Sequence, residues 1–278
     1  MIKIMKDSRL TPIQDEAIVF FKNKSKIKKT IIKFLVYLKF KRLGYTKNDI
    51  NKTIEYITKI PAIIHVNLYN IIDFLLDDTH YRNLFETKTS GGCDSQSVRF
   101  DDEQRIFKNI YDKSESYEKV KYGVLNIFND QNGVKSADQY GDSYLQLKET
   151  VKHRISFVNG DSTIEQRLCS VDFPEEILYY VNNELFKYIV NRAKGEKMYI
   201  SSHEHIYLGH YIEMQIHGPV ELGKDIEFLA VNKKHIDDNE IMEKIQKFCN
   251  TNNIHHKIID GVLETNYFDT TPEIIEIS

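Results

Sequence analysis

The sequence predicts an α+β fold in which a helical N-terminal subdomain, residues 1–60, packs on a mixed β-sheet core, residues 61–278. Three observations carry that expectation. Apolar positions of the first sixty residues recur at helical spacing, and strand-like runs dominate the middle of the chain. Those runs do not alternate regularly with helices, as a βαβ repeat would require. No Pro-, Gly- or Ser-rich linker divides the chain and it carries no internal repeat. At 278 residues it is long enough to bury a sizeable core.

The elements follow in order. Thr11-Pro12-Ile13-Gln14 is a helix start, with Thr as cap, Pro where its missing N–H does no harm, and Gln reaching back. Ile18, Phe21, Ile31, Leu35 and Leu38 continue that helix on one apolar face until Gly44. Thr46 caps a second helix through Ile50, Ile54 and Ile57. Pro61–Asn67 reads as a buried strand, Asn70–Leu76 as a helix, and Phe85–Phe100 as a polar loop. Asp101–Tyr111 is a helix, and Tyr122–Phe128, Tyr144–Lys148 and Arg154–Phe157 are strands separated by Asn-Gly and Gly-Asp turns. Phe173–Ala193 reads as one long helix. Lys197–Ile200, Ile206–Gln215 and Val220–Leu222 are further strands, Asp237–Cys249 a helix and His256–Ile259 a last strand.

The net charge of −3 conceals an uneven distribution. Lys22–Arg42 holds nine basic residues, and without them the remainder stands at −12. This stretch is either a surface for phosphates or anionic membranes, or the solvated face of a helix whose other face is Ile31, Leu35 and Leu38. Cys93, Cys169 and Cys249 are too few and too widely spaced for a disulfide framework or a CxxC zinc site. A reduced, cytoplasmic working environment is expected. The N-terminus lacks the apolar run of a secretory signal, and no stretch approaches the ~20 apolar residues that span a bilayer.

No GxGxxG, Walker, GxSxG or HExxH pattern is present. His203-Glu204-His205 with His210 is the densest group of metal-capable side chains, and a metal-dependent enzyme built on it is one alternative reading. Strand alternation over Tyr211–Gly218 places Glu213, Gln215 and His217 on one face and Ile212, Met214 and Ile216 on the other. A carboxylate and an amide on a half-buried strand must hydrogen-bond something, either the protein or a ligand. The loop Tyr81–Gly92 offers Arg82, Phe85, Thr87, Ser90 and paired glycines, either as a ligand loop or as a polar turn. A third reading is a non-catalytic module that binds a partner through the basic helix.

Lys121-Tyr-Gly-Val-Leu-Asn126 and Gln139-Tyr-Gly-Asp-Ser-Tyr144, followed by Arg154-Ile-Ser-Phe157 and Asp161-Ser162, resemble the signature block of the uncharacterised DUF3626-like proteins. In patches the resemblance runs over residues 9–235. Those proteins are similar to a bacterial effector ADP-ribosyltransferase that modifies ubiquitin on a threonine.

The resemblance therefore implies an ADP-ribosyltransferase-like core, NAD as co-substrate, and a protein acceptor such as ubiquitin. For an effector it also implies delivery into a host cytosol without a cleaved signal. It carries Glu213 over as the catalytic carboxylate, with Gln215 beside it. Arg82 becomes the NAD-gripping arginine, with Arg154 as the alternative. Phe85 becomes the stacking aromatic, with Tyr122 and Tyr140 as competitors, and Thr87 and Ser90 fall in the same binding loop. Two departures stand out. His65-Val-Asn67-Leu-Tyr69 replaces a family stretch that ends in an anchoring arginine. Gln215 also occupies the position where many such transferases carry a Glu.

Overall fold

The computed structural model describes residues 7–88, 96–196 and 212–261. The chain opens with helix α1 (Pro12–Arg42), α2 (Lys47–Thr58), strand β1 (Ala62–Val66) and α3 (Leu68–Asp77). One-turn helix α4 (Leu84–Thr87) and α5 (Gln96–Phe107) precede β2 (Lys121–Leu125), β3 (Ser143–Leu147), β4 (Ile155–Phe157) and the short β5 (Cys169–Ser170). Then come α6 (Ile177–Tyr180), α7 (Asn183–Lys194), β6 (Glu213–Ile216), α8 (Leu222–Asp225), β7 (Ile226–Asn232), α9 (Asn239–Asn252) and β8 (His255–Ile259).

Among the described residues, the eight strands form one sheet in the order β5-β4-β6-β2-β1-β3-β7-β8. Every pairing is antiparallel except β7 with β8, so the sheet is mixed and the fold α+β. One face carries Ile64, Val66, Leu145, Phe157, Met214, Ile216 and Leu229 into the main core. Helices α3, α7 and α9 cover that face with Leu68, Ile72, Phe186, Ile189, Ile245 and Phe248. The other face is covered in two places. Ala17, Ile18 and Phe21 of α1 meet Ile106 and Phe107 of α5 over Val120 and Val158, while Ile63, Val124, Tyr144 and Phe228 form a separate patch. Between these patches the second face is polar.

Both N-terminal helices start as the sequence predicts. Thr11 and Gln14 form a reciprocal capping box, as do Thr46 and Asp49. The face that α1 buries is a correction. Ile31 and Leu38 are exposed, and the buried line is Ile18, Phe21, Ser25, Ile32, Val36 and Phe40. The helix is apolar on two sides, and the contacting side is chosen by what lies beneath it. Lys28 and Lys33 pair with Glu176 and Glu175, and Lys39 donates to the carbonyls of Leu178 and Val181. Much of the basic stretch therefore grips the body of the protein instead of standing in solvent.

Other expectations also change. The helix expected over Phe173–Ala193 breaks at Val181-Asn182, because the Asn182 side chain caps a fresh helix by accepting from Leu185 N at 2.8 Å. The strand at Tyr122 stops at Leu125, where Asn126 turns the chain through two hydrogen bonds with Asp130. The strand expected at Val220–Leu222 is a single bridge from Glu221 to His80, followed by α8. Strand β7 was not anticipated. The expected strand 197–200, the first part of the one at 206–215, and Ser90, Cys93, His203, His205 and His210 lie outside the described residues. Cys169 and Cys249 are buried free thiols. Among the described residues no helix is long and apolar enough to cross a membrane.

Candidate functional site

Strands β1 and β2 are paired only at Ala62/Leu125 and Ile63/Val124. Beyond that point β1 continues along β3 to Val66/Ser143, while β2 continues along β6 to Lys121/Ile216. The sheet forks there, and a cleft of about 660 Å³ opens between the two arms. Gly123 stands at the vertex. A Cβ there would lie 2.3 Å from Met214 Cε and 2.6 Å from the Ile63 carbonyl oxygen, so only glycine lets the strands approach this closely.

Residues Ile64–Asn67 and Tyr122–Val124 line the two arms, with Phe74 and Arg82 on one side and Arg99 and Tyr140 on the other. Arg82 binds Asp78 through two nitrogens, at 2.5 and 2.6 Å, and its guanidinium lies 5.5 Å from the centre of the Phe74 ring. Asp78 thus fixes the orientation of the cation beside the cleft. Arg99 stacks on the Tyr122 ring at 4.1 Å. Tyr122 donates its phenol proton to Glu103 at 3.3 Å. Burial pushes Glu103 up to about 8, against the opposing pull of Lys119 and Arg99.

His65 also lines the cleft, but its neighbours fix both ring nitrogens. Val134 N donates to Nε2 at 3.0 Å, so Nδ1 carries the proton given to the Gly141 carbonyl at 2.8 Å. The ring is a clip on the 133–141 loop, with neither nitrogen left over for a ligand.

Behind Val124, on the polar side of the sheet, Glu213 is paired across the ladder and almost fully buried. A one-way chain of hydrogen bonds ends on it. Gln215 Nε2 donates to Glu213 Oε1 at 2.8 Å, and Ser156 Oγ donates to Gln215 Oε1 at 3.0 Å. With its only proton committed, Ser156 accepts from His217 Nε2 at 3.1 Å. His217 Nδ1 then accepts from the Tyr111 hydroxyl at 2.7 Å. Burial, with Arg154 and Lys121 nearby, drives His217 down to about 3, so the ring is neutral as this polarity requires. Burial pushes Glu213 up to about 7, while Arg99 and the Gln215 amide hold it lower than burial alone would.

The residues expected at the site therefore separate. Arg82, Thr87, Tyr122 and Tyr140 line one cleft, and Glu213 and Gln215 lie one strand away from it. Phe85 does not line the cleft, and its ring centre lies 5.4 Å from the Lys119 ammonium. Arg154 is completely buried and donates to the carbonyls of His217 and Pro219 and to Asp225, so it braces the end of β6. Arg99 and Glu103 were missed. Arg99 falls in the stretch the sequence suggests as a polar loop, but the helix starts at Gln96, and this hid its i, i+4 spacing to Glu103, which itself reads equally well as a surface ion pair. Among the described residues no group of three His, Cys, Asp or Glu side chains could hold a metal ion.

No curated protein matches the chain. Over residues 61–194 and 180–266, covering the cleft, the Glu213 strand and most of the sheet, it matches the profile of the proteins of unknown function DUF3626, and it belongs to that family.

Proposed function

We propose that the chain is an NAD-dependent mono-ADP-ribosyltransferase that modifies a protein hydroxyl, with a threonine of ubiquitin as the acceptor. The observation that carries this reading is a single carboxylate, Glu213, immobilised by a polarised side-chain chain beside an aromatic and cationic cleft. The cleft volume of about 660 Å³ lies within the range of about 300–1,000 Å³ usual for small-molecule sites. Its composition suits a dinucleotide. Arg82 and Arg99 bring positive charge that a pyrophosphate would meet, and Tyr122 and Tyr140 bring rings suited to flat bases.

NAD supplies a ribose whose glycosidic carbon becomes positive as nicotinamide departs. An ionised Glu213 stabilises that charge as it develops, and a carboxylate that is already oriented needs no reorganisation to do so. Gln215 acts as a positioning residue, since its amide holds one carboxylate oxygen while Ser156 holds the amide. Because Glu213 is pushed up to about 7, turnover should rise with pH through that value.

The test is incubation of the purified chain with labelled NAD and ubiquitin, scored for label on the protein and for free nicotinamide. Transfer by wild type, lost by at least two orders of magnitude in Glu213→Gln, is the expected result. Arg82→Ala should raise KM for NAD more than it lowers kcat. No nicotinamide release by wild type, or undiminished release by Glu213→Gln, rejects the reading.

A further inference from the structure

Helix α1 has a second apolar face that no described residue covers. Ile27, Ile31, Phe34 and Leu38 recur at i, i+4, i+7 and i+11 and are 85%, 66%, 60% and 43% exposed. Together they form a ridge about 16 Å long at 1.5 Å per residue. Its ends and flanks are cationic. Lys24 and Lys41 hold their ammonium groups 5.0 and 5.6 Å from the Phe20 and Tyr37 rings, and Lys26 and Arg42 are exposed. Lys22, Lys28 and Lys33 pair with acidic residues of the body, but among the described residues no ion pair engages Lys24, Lys26, Lys41 or Arg42. No Asp or Glu occurs between Lys22 and Asn48.

We infer that this ridge docks the protein on an anionic phospholipid surface. A second copy of the chain is disfavoured, because facing ridges would bring together four uncompensated cations from each side. Two heptads also fall short of the three to four that sustain a coiled coil. An anionic bilayer supplies the missing counter-charge and an apolar layer, and it demands no shape complementarity from a short convex ridge. The acidic remainder of the chain, at −12, is repelled by the same surface, which restricts contact to α1. No residue of α1 lines the cleft, so docking leaves the cleft open.

Co-sedimentation of the full chain with phosphatidylcholine vesicles, with and without phosphatidylserine, tests this. Binding should require phosphatidylserine and weaken with salt. It should fall about fivefold for each charge removed in Lys41→Ser and Arg42→Ser, and be abolished in Phe34→Asp. The replaced side chains are exposed, so melting temperatures should be unchanged; the two charge variants stand alone if Phe34→Asp fails to fold. Absence of binding, equal binding to phosphatidylcholine alone, or indifference to the charge variants overturns the inference. So does a concentration-dependent dimer in light scattering that Phe34→Asp disperses, or a ridge taken up by an acidic protein helix in preference to vesicles.

Discussion

At the scale of single residues, the polar face of the sheet stores several ionisable groups in the protonation state that water would not choose. Glu213 titrates near 4.5 when exposed and near 7 when folded. Between those values the unfolded chain has released its proton while the folded chain retains it, so stability falls as pH rises. The span corresponds to about 3 kcal/mol as an order of magnitude. Glu103 acts in the same direction up to about 8. His217 acts oppositely, because its folded value near 3 lies below the ordinary 6.5 and its contribution is lost as pH falls through that window. Glu213→Gln isolates one of these effects, since its amide oxygen can still accept from Gln215. The difference in unfolding free energy between variant and wild type should shift in the variant's favour by about 1–3 kcal/mol on going from pH 4 to pH 8. Urea unfolding at the two pH values measures it. A difference that does not change with pH would mean that Glu213 is not held protonated by its surroundings.

At the scale of elements, the fork between β1 and β2 makes the cleft, and Gly123 makes the fork tight. In Gly123→Ala the new methyl group meets the flexible end of Met214, which can move, and the Ile63 carbonyl, which cannot without opening the β1–β2 ladder. The expected cost is about 1–3 kcal/mol in urea unfolding, with Met214→Ala recovering only part of it. Full recovery would show that the backbone contact does not matter. The alternation on β6 was legible because a single strand with one core face and one polar face writes its orientation into every second residue. Glu213, Gln215 and His217 were found that way. Strand β7 was not, because Ile226-Glu-Phe-Leu-Ala-Val-Asn232 is buried on both faces apart from Glu227, and a short apolar run carries no period. The face of α1 was misassigned for a related reason. Both Ile27-Ile31-Phe34-Leu38 and Ile32-Val36-Phe40 have helical spacing, and only Glu175, Glu176 and the carbonyls beneath the helix decide between them. The cleft itself depends on where two ladders part, which no local pattern records.

At the scale of the whole molecule, the basic helix and the sheet are one packing unit despite the change in composition near residue 60. Ile32, Val36 and Phe40 join the main core, with the Phe40 ring against Phe186 of α7, while Ala17, Ile18 and Phe21 close the opposite face over Val120 and Val158. Ser25 reaches Glu176 at 2.5 Å, and the same carboxylate pairs with Lys28, so a buried charge on the body is neutralised from α1. Removing α1 would expose apolar surface on both faces and strip Glu176 of Ser25 and Lys28, leaving it the Tyr180 hydroxyl at 3.3 Å. At about 1.5–3 kcal/mol for each large side chain, the loss from Ile18, Phe21, Ile32, Val36 and Phe40 is about 10 kcal/mol, comparable with the 5–15 kcal/mol that holds a typical domain folded. A chain that begins at residue 46 should therefore lack a cooperative urea transition and bind a hydrophobic dye, even though the cleft and Glu213 lie wholly within the part retained. If residues 1–60 were instead a separable subdomain, the truncated chain would unfold in one sharp transition. Its denaturant sensitivity would then be reduced only in proportion to its length. Circular dichroism against urea on the two chains decides between these outcomes. It also determines whether the docking ridge can be studied by deletion or only through surface substitutions such as Phe34→Asp.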